Sequence, residues 1–155
     1  RQGRPAPIYG NIFDHFAVEF VYPGDVRVMS MCRQTDGTVW RVAERLVGTR
    51  GGCDPSGRIW GANDWSYGGP QADPYVQEHA NLINAIRSNE RINEARQVAE
   101  STLTAILGRT SAYTGQEVSY RWLLEASQQS LVPDTLEWGD HPINPVPVPG
   151  VTKLV

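Results

Sequence analysis

Two stretches near the N-terminus alternate apolar and other residues with the period of a β-strand. The first runs from His15 to Tyr22, with apolar positions at Phe16, Val18, Phe20 and Tyr22. The second alternates through Val26, Val28, Ser30 and Cys32. Between them, Pro23, Gly24 and Asp25 are turn-forming residues, because proline presets φ and glycine accepts a positive φ. The pattern predicts an antiparallel hairpin.

A third strand is expected after the turn at Asp36-Gly37. It runs from Thr38 to Val47 and carries Trp40, Val42 and Leu46. The glycine-rich run Gly48–Gly52 closes it, and we expect residues 53–69 to be irregular apart from a short strand at Arg58–Trp60.

Three later segments have helical spacing. Asp73 is a good N-cap, Pro74 suits the first helical position, and the helix ends at Ser88-Asn89. Its predicted apolar stripe is Val76, His79, Ile83 and Ile86. A second helix starts at an Asn93 cap and ends at Gly115, and its stripe is Ala95, Val98, Ala99, Thr102, Leu103 and Ile106. Ser119 caps a brief third helix that holds Trp122, Leu123 and Ala126.

These elements predict an α+β fold: a mostly antiparallel open sheet with helices packed on one face. We expect one domain over residues 1–132, and an extended tail over 133–155 that lies on the surface or on a neighbouring subunit. The tail's prolines are Pro133, Pro142, Pro145, Pro147 and Pro149. The first nine residues, with Pro5 and Pro7, are expected to be an extended lead-in.

Composition narrows the class of protein. The chain has 155 residues, 40% of them hydrophobic, and a net charge of -3, which argues against nucleic-acid binding. No apolar run is long enough for a membrane span. Because the chain starts at Arg1 without an initiator methionine or signal peptide, we expect it to be part of a longer protein. A cytoplasmic parent is expected, with an exported one as the alternative.

Most catalytic motifs find no match in the sequence. Cys32 and Cys53 have no metal-like spacing and are expected to be independent thiols, with a disulfide as the less favoured alternative. The run Gly48–Gly52 has no following helix and no P-loop lysine, so a β-turn is favoured over a nucleotide cradle. Glu19 and Glu44 could pair as carboxylates across a cleft, although exposed sheet charges are more common.

Histidine and arginine supply the remaining candidates. His79 is expected to be partly buried on its helix, and His141 belongs to no metal motif. Asp14-His15, at the mouth of the first strand, could line a cleft for substrate. Arginines share one side of the hairpin strand and of the predicted third strand: Arg27 and Arg33, then Arg41 and Arg45. Such a face suits hydroxyl or carboxylate ligands or a partner's sheet, unless it is simply solvated.

Taken in order, these segments resemble the C-terminal half of the glucose–fructose oxidoreductase, inositol dehydrogenase and rhizopine-catabolism family. The resemblance covers nearly the whole chain. The stretches that carry it are Ile92–Ile106 with Gly108–Gly115, Asp73–Tyr75 with Glu78-His79, His15–Tyr22, Met31–Gln34, Glu44–Gly52, and the tail Val148–Leu154, which is similar to that of dehydrogenases in a bacterial subgroup.

The resemblance implies NAD(P)-dependent chemistry at a carbon of a sugar, cyclitol or related polyol. In this family a Rossmann domain holds NAD or NADP, and an α/β domain with an open antiparallel sheet binds substrate and assembles oligomers. The family's catalytic lysine in an E-K-P segment and its Asp-x-x-x-His pair have no counterpart here, so we assign no catalytic residue. The family's substrate-lining positions correspond to Arg33 and Trp40, and we add His15 as a third candidate.

We therefore expect the substrate-binding and assembly domain of an oxidoreductase, inactive alone and with no cofactor site of its own. Its expected partners are a polyol or sugar and further copies of itself through the open sheet face, with no nucleic acid or membrane. The alternative is a non-catalytic binding or scaffold domain that uses the arginine-bearing sheet face.

Overall fold

The computed structural model describes residues 1–4 and 7–155, and its longest strands are β1 (His15–Tyr22) and β2 (Val26–Arg33). They form the predicted antiparallel hairpin, in a register that pairs His15 with Arg33 and Tyr22 with Val26. Gly24 and Asp25 take positive φ values of 79° and 58° in the turn, as its residue types predict. The lead-in is not wholly extended, because Pro7–Tyr9 form a short 3-10 helix; Pro5 lies outside the described residues.

Helix α2 (Ala95–Thr114) packs against β1 and covers the inner face of the hairpin. Its Gly108 makes this approach possible, because a Cβ there would lie 2.7 Å from Cζ of Phe20 and 3.5 Å from Cγ1 of Val18. Its buried positions, Gly108, Thr110 and Thr114, lie in the C-terminal half, whereas residues 95–102 are exposed. The predicted small-residue contact therefore exists, but it lies further along the helix than the predicted stripe.

The ends of α2 and α3 follow local sequence closely. Gly115 ends α2 in the left-handed conformation, as predicted, but the N-cap is Glu94 rather than Asn93, and it makes no side-chain capping bond. Helix α3 (Tyr120–Glu125) packs on α2, and its predicted cap Ser119 accepts a hydrogen bond from the Trp122 N–H.

The proline-rich tail contains no helix or strand within residues 133–155, in agreement with the prediction. Its end is bonded to α2 and to the residues that follow α3: Gly150 N–H donates to the Thr114 carbonyl at 2.8 Å, and the Ser127 hydroxyl donates to the Val155 carbonyl at 3.0 Å. The chain divides into two compact units, residues 1–37 with 94–155 and residues 38–93, and the first contains the hairpin, α2, α3 and the tail.

The second unit contains a small antiparallel meander of four strands within the described residues. These are β3 (Leu46–Gly48), β4 (Gly51–Asp54), β5 (Arg58–Gly61) and β6 (Trp65–Ser66). Gly52 allows β4 to pass Trp60, because a Cβ there would lie 2.6 Å from the indole ring. The short strand expected at Arg58–Trp60 is confirmed as β5, whereas β6 and the end of β4 lie in the stretch that was expected to be irregular.

The predicted strand Thr38–Val47 is wrong over most of its length, since residues 38–45 form no strand and β3 starts only at Leu46. Alternation gives a segment one apolar face, but a strand also needs a neighbour for its peptide groups. The hairpin's sheet consists of β1 and β2, and residues 38–45 belong to no strand of either sheet.

Helix α1 (Pro74–Ser88) begins as predicted, with the Asp73 carboxylate accepting the N–H groups of Tyr75 and Val76. It ends at Asn89 in the left-handed conformation. Its stripe differs from the prediction, because Val76, Ile83 and Ile86 are exposed and Ala85 is its one buried residue. The molecule is thus a mixed α+β protein with two open antiparallel sheets in its described part.

Candidate substrate site at the mouth of the hairpin

Asp14, directly before β1, is the most strongly bonded carboxylate of the first unit. It is 5% exposed, and its Oδ2 accepts the backbone N–H groups of Gly3 at 2.8 Å and Arg4 at 2.9 Å. Its Oδ1 lies 2.7 Å from Nδ1 of His15, and the Arg4 guanidinium lies 3.5 Å from Oδ2. Both oxygens of this buried group are thus fixed.

These contacts keep Asp14 ionised. The hydrogen bond from His15, with those from the Gly3 and Arg4 N–H groups, lowers the Asp14 pKa to about 2 against the opposing effect of burial. An ionised carboxylate only accepts, so His15 Nδ1 must carry the proton. His15 Nε2 is then left to bind other groups, and its side chain is 49% exposed.

Arg33 lies directly opposite His15 in the hairpin register. Side chains of opposite residues emerge on the same face, with Cβ atoms about 4.5–5.5 Å apart. The adjacent Gln34 N–H donates to the Asp14 carbonyl at 2.7 Å, so the two chain segments stay paired one residue before β1 begins and one residue after β2 ends. We call Asp14, His15 and Arg33 the mouth cluster; it combines a carboxylate, an imidazole and a guanidinium.

Aromatic side chains pack at residues next to this cluster in the chain. Phe13 is 6% exposed and meets the Tyr113 ring of α2 edge-on, at 4.6 Å between centroids. Phe16 lies 5.5 Å from Phe13, and the Arg4 guanidinium lies over the Tyr9 ring at 4.5 Å. The candidate site therefore rests on the packed part of the unit.

Two of the three predicted substrate residues, His15 and Arg33, pair within the first unit, and the third belongs to the second unit. Trp40 belongs to the second unit, lies outside any strand, and is 86% exposed. The prediction that it lies on a strand is therefore wrong.

The other charged candidates have structural partners or lie apart from the cluster. Glu19 binds Arg27 at 2.9 Å, and Arg27 also binds Asp25, which together raise the Arg27 pKa. Glu44 lies in the segment that forms no strand, so the two glutamates are not both strand residues. Arg45 lies 5.1 Å from the Trp60 ring centroid in the second unit.

The remaining histidines are surface residues. His79 was expected to be partly buried, but its side chain is 71% exposed, with Nδ1 2.6 Å from the Tyr75 carbonyl. His141 Nε2 lies 2.9 Å from the Glu137 carbonyl. Cys32 and Cys53 are free, in agreement with the expectation of independent thiols. In the described part of the chain, no group of His, Cys, Asp and Glu could hold a metal ion.

The glycine-rich run is a turn, as predicted. Gly48 and Gly51 pair across it as β3 joins β4, and no helix follows.

Sequence analysis missed a groove between β1 and α2, with a volume of about 1440 Å³. Its strand side is residues 17–23 and its helix side includes Ser101, Thr104, Gly108, Ser111 and Ala112. The small residues of α2 carried a signal for close packing, but the sequence does not show which strand α2 contacts.

Comparison of the chain with models of protein families, with characterised proteins and with solved structures gave no match. Among the described residues, no helix has the length and apolar character needed to cross a membrane.

Proposed function

We propose that this chain is the substrate-binding and assembly domain of an NAD(P)-dependent oxidoreductase that acts on a sugar, cyclitol or related polyol. The observation that supports it is the mouth cluster, in which His15 and Arg33 face each other across the hairpin beside the ionised Asp14. The family resemblance supplies the redox chemistry, and the cluster supplies a site for a substrate rich in hydroxyl groups.

The cluster's chemistry fits a polyol. His15 Nε2 can accept a hydrogen bond from a hydroxyl, and the planar Arg33 guanidinium can donate to two neighbouring oxygens at once. Asp14 contributes indirectly, since its charge fixes the proton on Nδ1 of His15. His15 and Arg33 are thus substrate-binding residues, Asp14 is a positioning residue, and hydride transfer depends on a cofactor held elsewhere in the parent enzyme.

A titration by heteronuclear NMR tests the proposal. Adding a cyclitol or an aldose to the chain should shift the amide signals of Asp14, His15 and Arg33. His15→Gln and Arg33→Gln should each weaken binding by about five- to tenfold, because each removes one hydrogen-bonding partner. Arg27→Gln is the matched control, since Arg27 lies at the far end of the same strand, and it should leave binding unchanged.

Titration with NADH gives a second readout. Its fluorescence should stay at the level of a buffer control, because the glycine-rich run is a β-turn rather than a phosphate cradle. Saturable NADH binding, or the absence of amide shifts with every polyol tested, would contradict the proposal.

The alternative, a scaffold domain that uses an arginine-bearing sheet face, has less support. Arg27 is bound within the hairpin by Glu19 and Asp25, and Arg41 lies in the segment that forms no strand.

A further inference from the structure

The second long edge of β1 has no strand beside it. Strand β1 pairs with β2 on one side, and within residues 1–4 and 7–155 no strand pairs with it on the other. Arg1 occupies the start of this edge: its amino group donates to the His15 carbonyl at 2.8 Å, and the His15 N–H donates to the Arg1 carbonyl at 3.3 Å. This exchange of both bonds is the hydrogen-bonded pair of an antiparallel ladder.

The pairing at His15 fixes the direction of the peptide groups that follow. In a strand, both backbone polar groups of a residue point to one edge, and those of the next residue point to the other. Ala17, Glu19 and Val21 therefore direct their N–H and C=O groups to the same edge as His15. Such an unpaired edge is a template for another strand.

The β1–α2 groove lies along this edge. Residues 17–22 span about 20 Å as an extended strand, enough for a partner of about six residues. The hydroxyls that line its helix side are bonded to helix carbonyls or nearby ones: Ser101 to Val98, Thr104 to Glu100, and Ser111 to Gln116. The helix side therefore offers small side chains to pack against, and the edge of β1 offers the peptide hydrogen bonds.

The charge of the groove is acidic. Its lining contains Glu19, Glu100 and Glu117 against one guanidinium, that of Arg27, which is bound to Glu19. Glu100 binds Arg96, and in the described part of the chain Glu117 forms no ion pair. Lysine or arginine side chains on an incoming strand would meet complementary charge here.

We propose that the β1–α2 groove binds an extended, basic polypeptide segment, which joins β1 as an antiparallel strand in line with Arg1. The main-chain bonds supply affinity through the free edge, and the acidic lining selects for basic side chains. This inference goes beyond the substrate site, because none of the groove residues belongs to the mouth cluster.

The probe is a blocked peptide of about ten residues in which Val and Thr alternate with Lys, a length that covers the edge. In the full chain it should shift the amide signals of Ala17, Glu19 and Val21 and protect those amides from solvent exchange. N-methyl groups on the peptide residues whose N–H faces β1 should weaken binding by at least about tenfold, because main-chain bonds are lost. The same groups on the alternate residues are the matched control and should have little effect.

The charge requirement is tested separately. Glu117→Gln should weaken binding of the lysine peptide about two- to fivefold at low salt, whereas Glu125→Gln, whose side chain binds Arg121 outside the groove, should not. The proposal would be overturned if the two N-methylated peptides bound equally tightly. It would also be overturned if a peptide with Glu in place of Lys bound as tightly as the lysine peptide. Concentration-dependent protection of the same amides from solvent exchange, in the absence of peptide, would also overturn it, because a second copy of this chain would then pair with the edge of β1.

Discussion

Asp14 is the buried, ionised residue around which Gly3, Arg4 and His15 are held in the first unit. It is buried, yet its pKa falls to about 2, because bonds from His15 and from two backbone N–H groups outweigh the cost of burial. The folded state therefore prefers the ionised form below the ordinary value of 3.8. The hydrogen bond between His15 Nδ1 and Asp14 also fixes the His15 ring. The stability of the folded state is therefore linked to the candidate site.

This linkage predicts an acid-sensitive contribution to stability. Because the Asp14 pKa is lower in the folded state, its stabilising effect is complete above about pH 4 and disappears as the pH falls towards about 2. In urea unfolding from pH 7 to pH 2, the native chain should be more stable than Asp14→Asn at neutral pH, and the two curves should converge in acid. Asp134→Asn, in the exposed tail, is the control and should follow the native curve. A constant difference across the pH range would contradict this account.

At the scale of elements, the fold depends on how closely α2 approaches β1. The approach is set at Gly108, where hydrogen replaces a side chain opposite Phe20 and Val18. The rest of α2's buried surface follows from that contact, since Thr110 and Thr114 lie in the turns just beyond it.

Gly108→Val should therefore lower the free energy of unfolding by about 1–3 kcal/mol, because a branched side chain meets the Phe20 ring. Ala105→Val is the matched control: it places the same residue on the exposed side of α2 and should cost only about 0.5 kcal/mol through helix propensity. Chemical denaturation of both variants gives the comparison. Equal losses would show that helix propensity, and not the contact with β1, explains the effect.

Sequence predicted those elements whose signals are local. The hairpin, the Asp73 and Ser119 caps and the Gly115 end each depend on residues adjacent in the chain. The strand predicted over residues 38–45 failed because strand formation needs a partner that alternation does not specify. Within the site, the pairing of His15 with Arg33 followed from the hairpin. The bonds from Gly3 and Arg4 to Asp14 did not, because nothing in the lead-in marks where its backbone turns.

At the scale of the whole molecule, much surface is left uncovered. The outer face of the hairpin, opposite α2, contributes apolar side chains, with Val21, Met29 and Met31 between 59% and 73% exposed. An exposed sheet of this kind is suited to association with further copies.

Sedimentation velocity tests this assembly role. The native chain should form a dimer or larger oligomer, and the double substitution Met29→Lys with Met31→Lys should give a monomer, because it puts two charges on the outer face. Val39→Lys changes an even more exposed apolar residue, which belongs to the second unit, and should leave the oligomer intact. A native chain that stays monomeric at every concentration would remove the support for this role.

The bond between Gly150 and the Thr114 carbonyl has a practical consequence for anyone who shortens this chain to obtain crystals. Because the stretch before Gly150 is rich in proline, truncation after α3 would be an obvious choice. Such trimming would also remove the N–H that satisfies the last turn of the long helix, beside the buried Thr114. Deletions confined to residues 134–144 leave this hydrogen bond in place, and they are the safer choice.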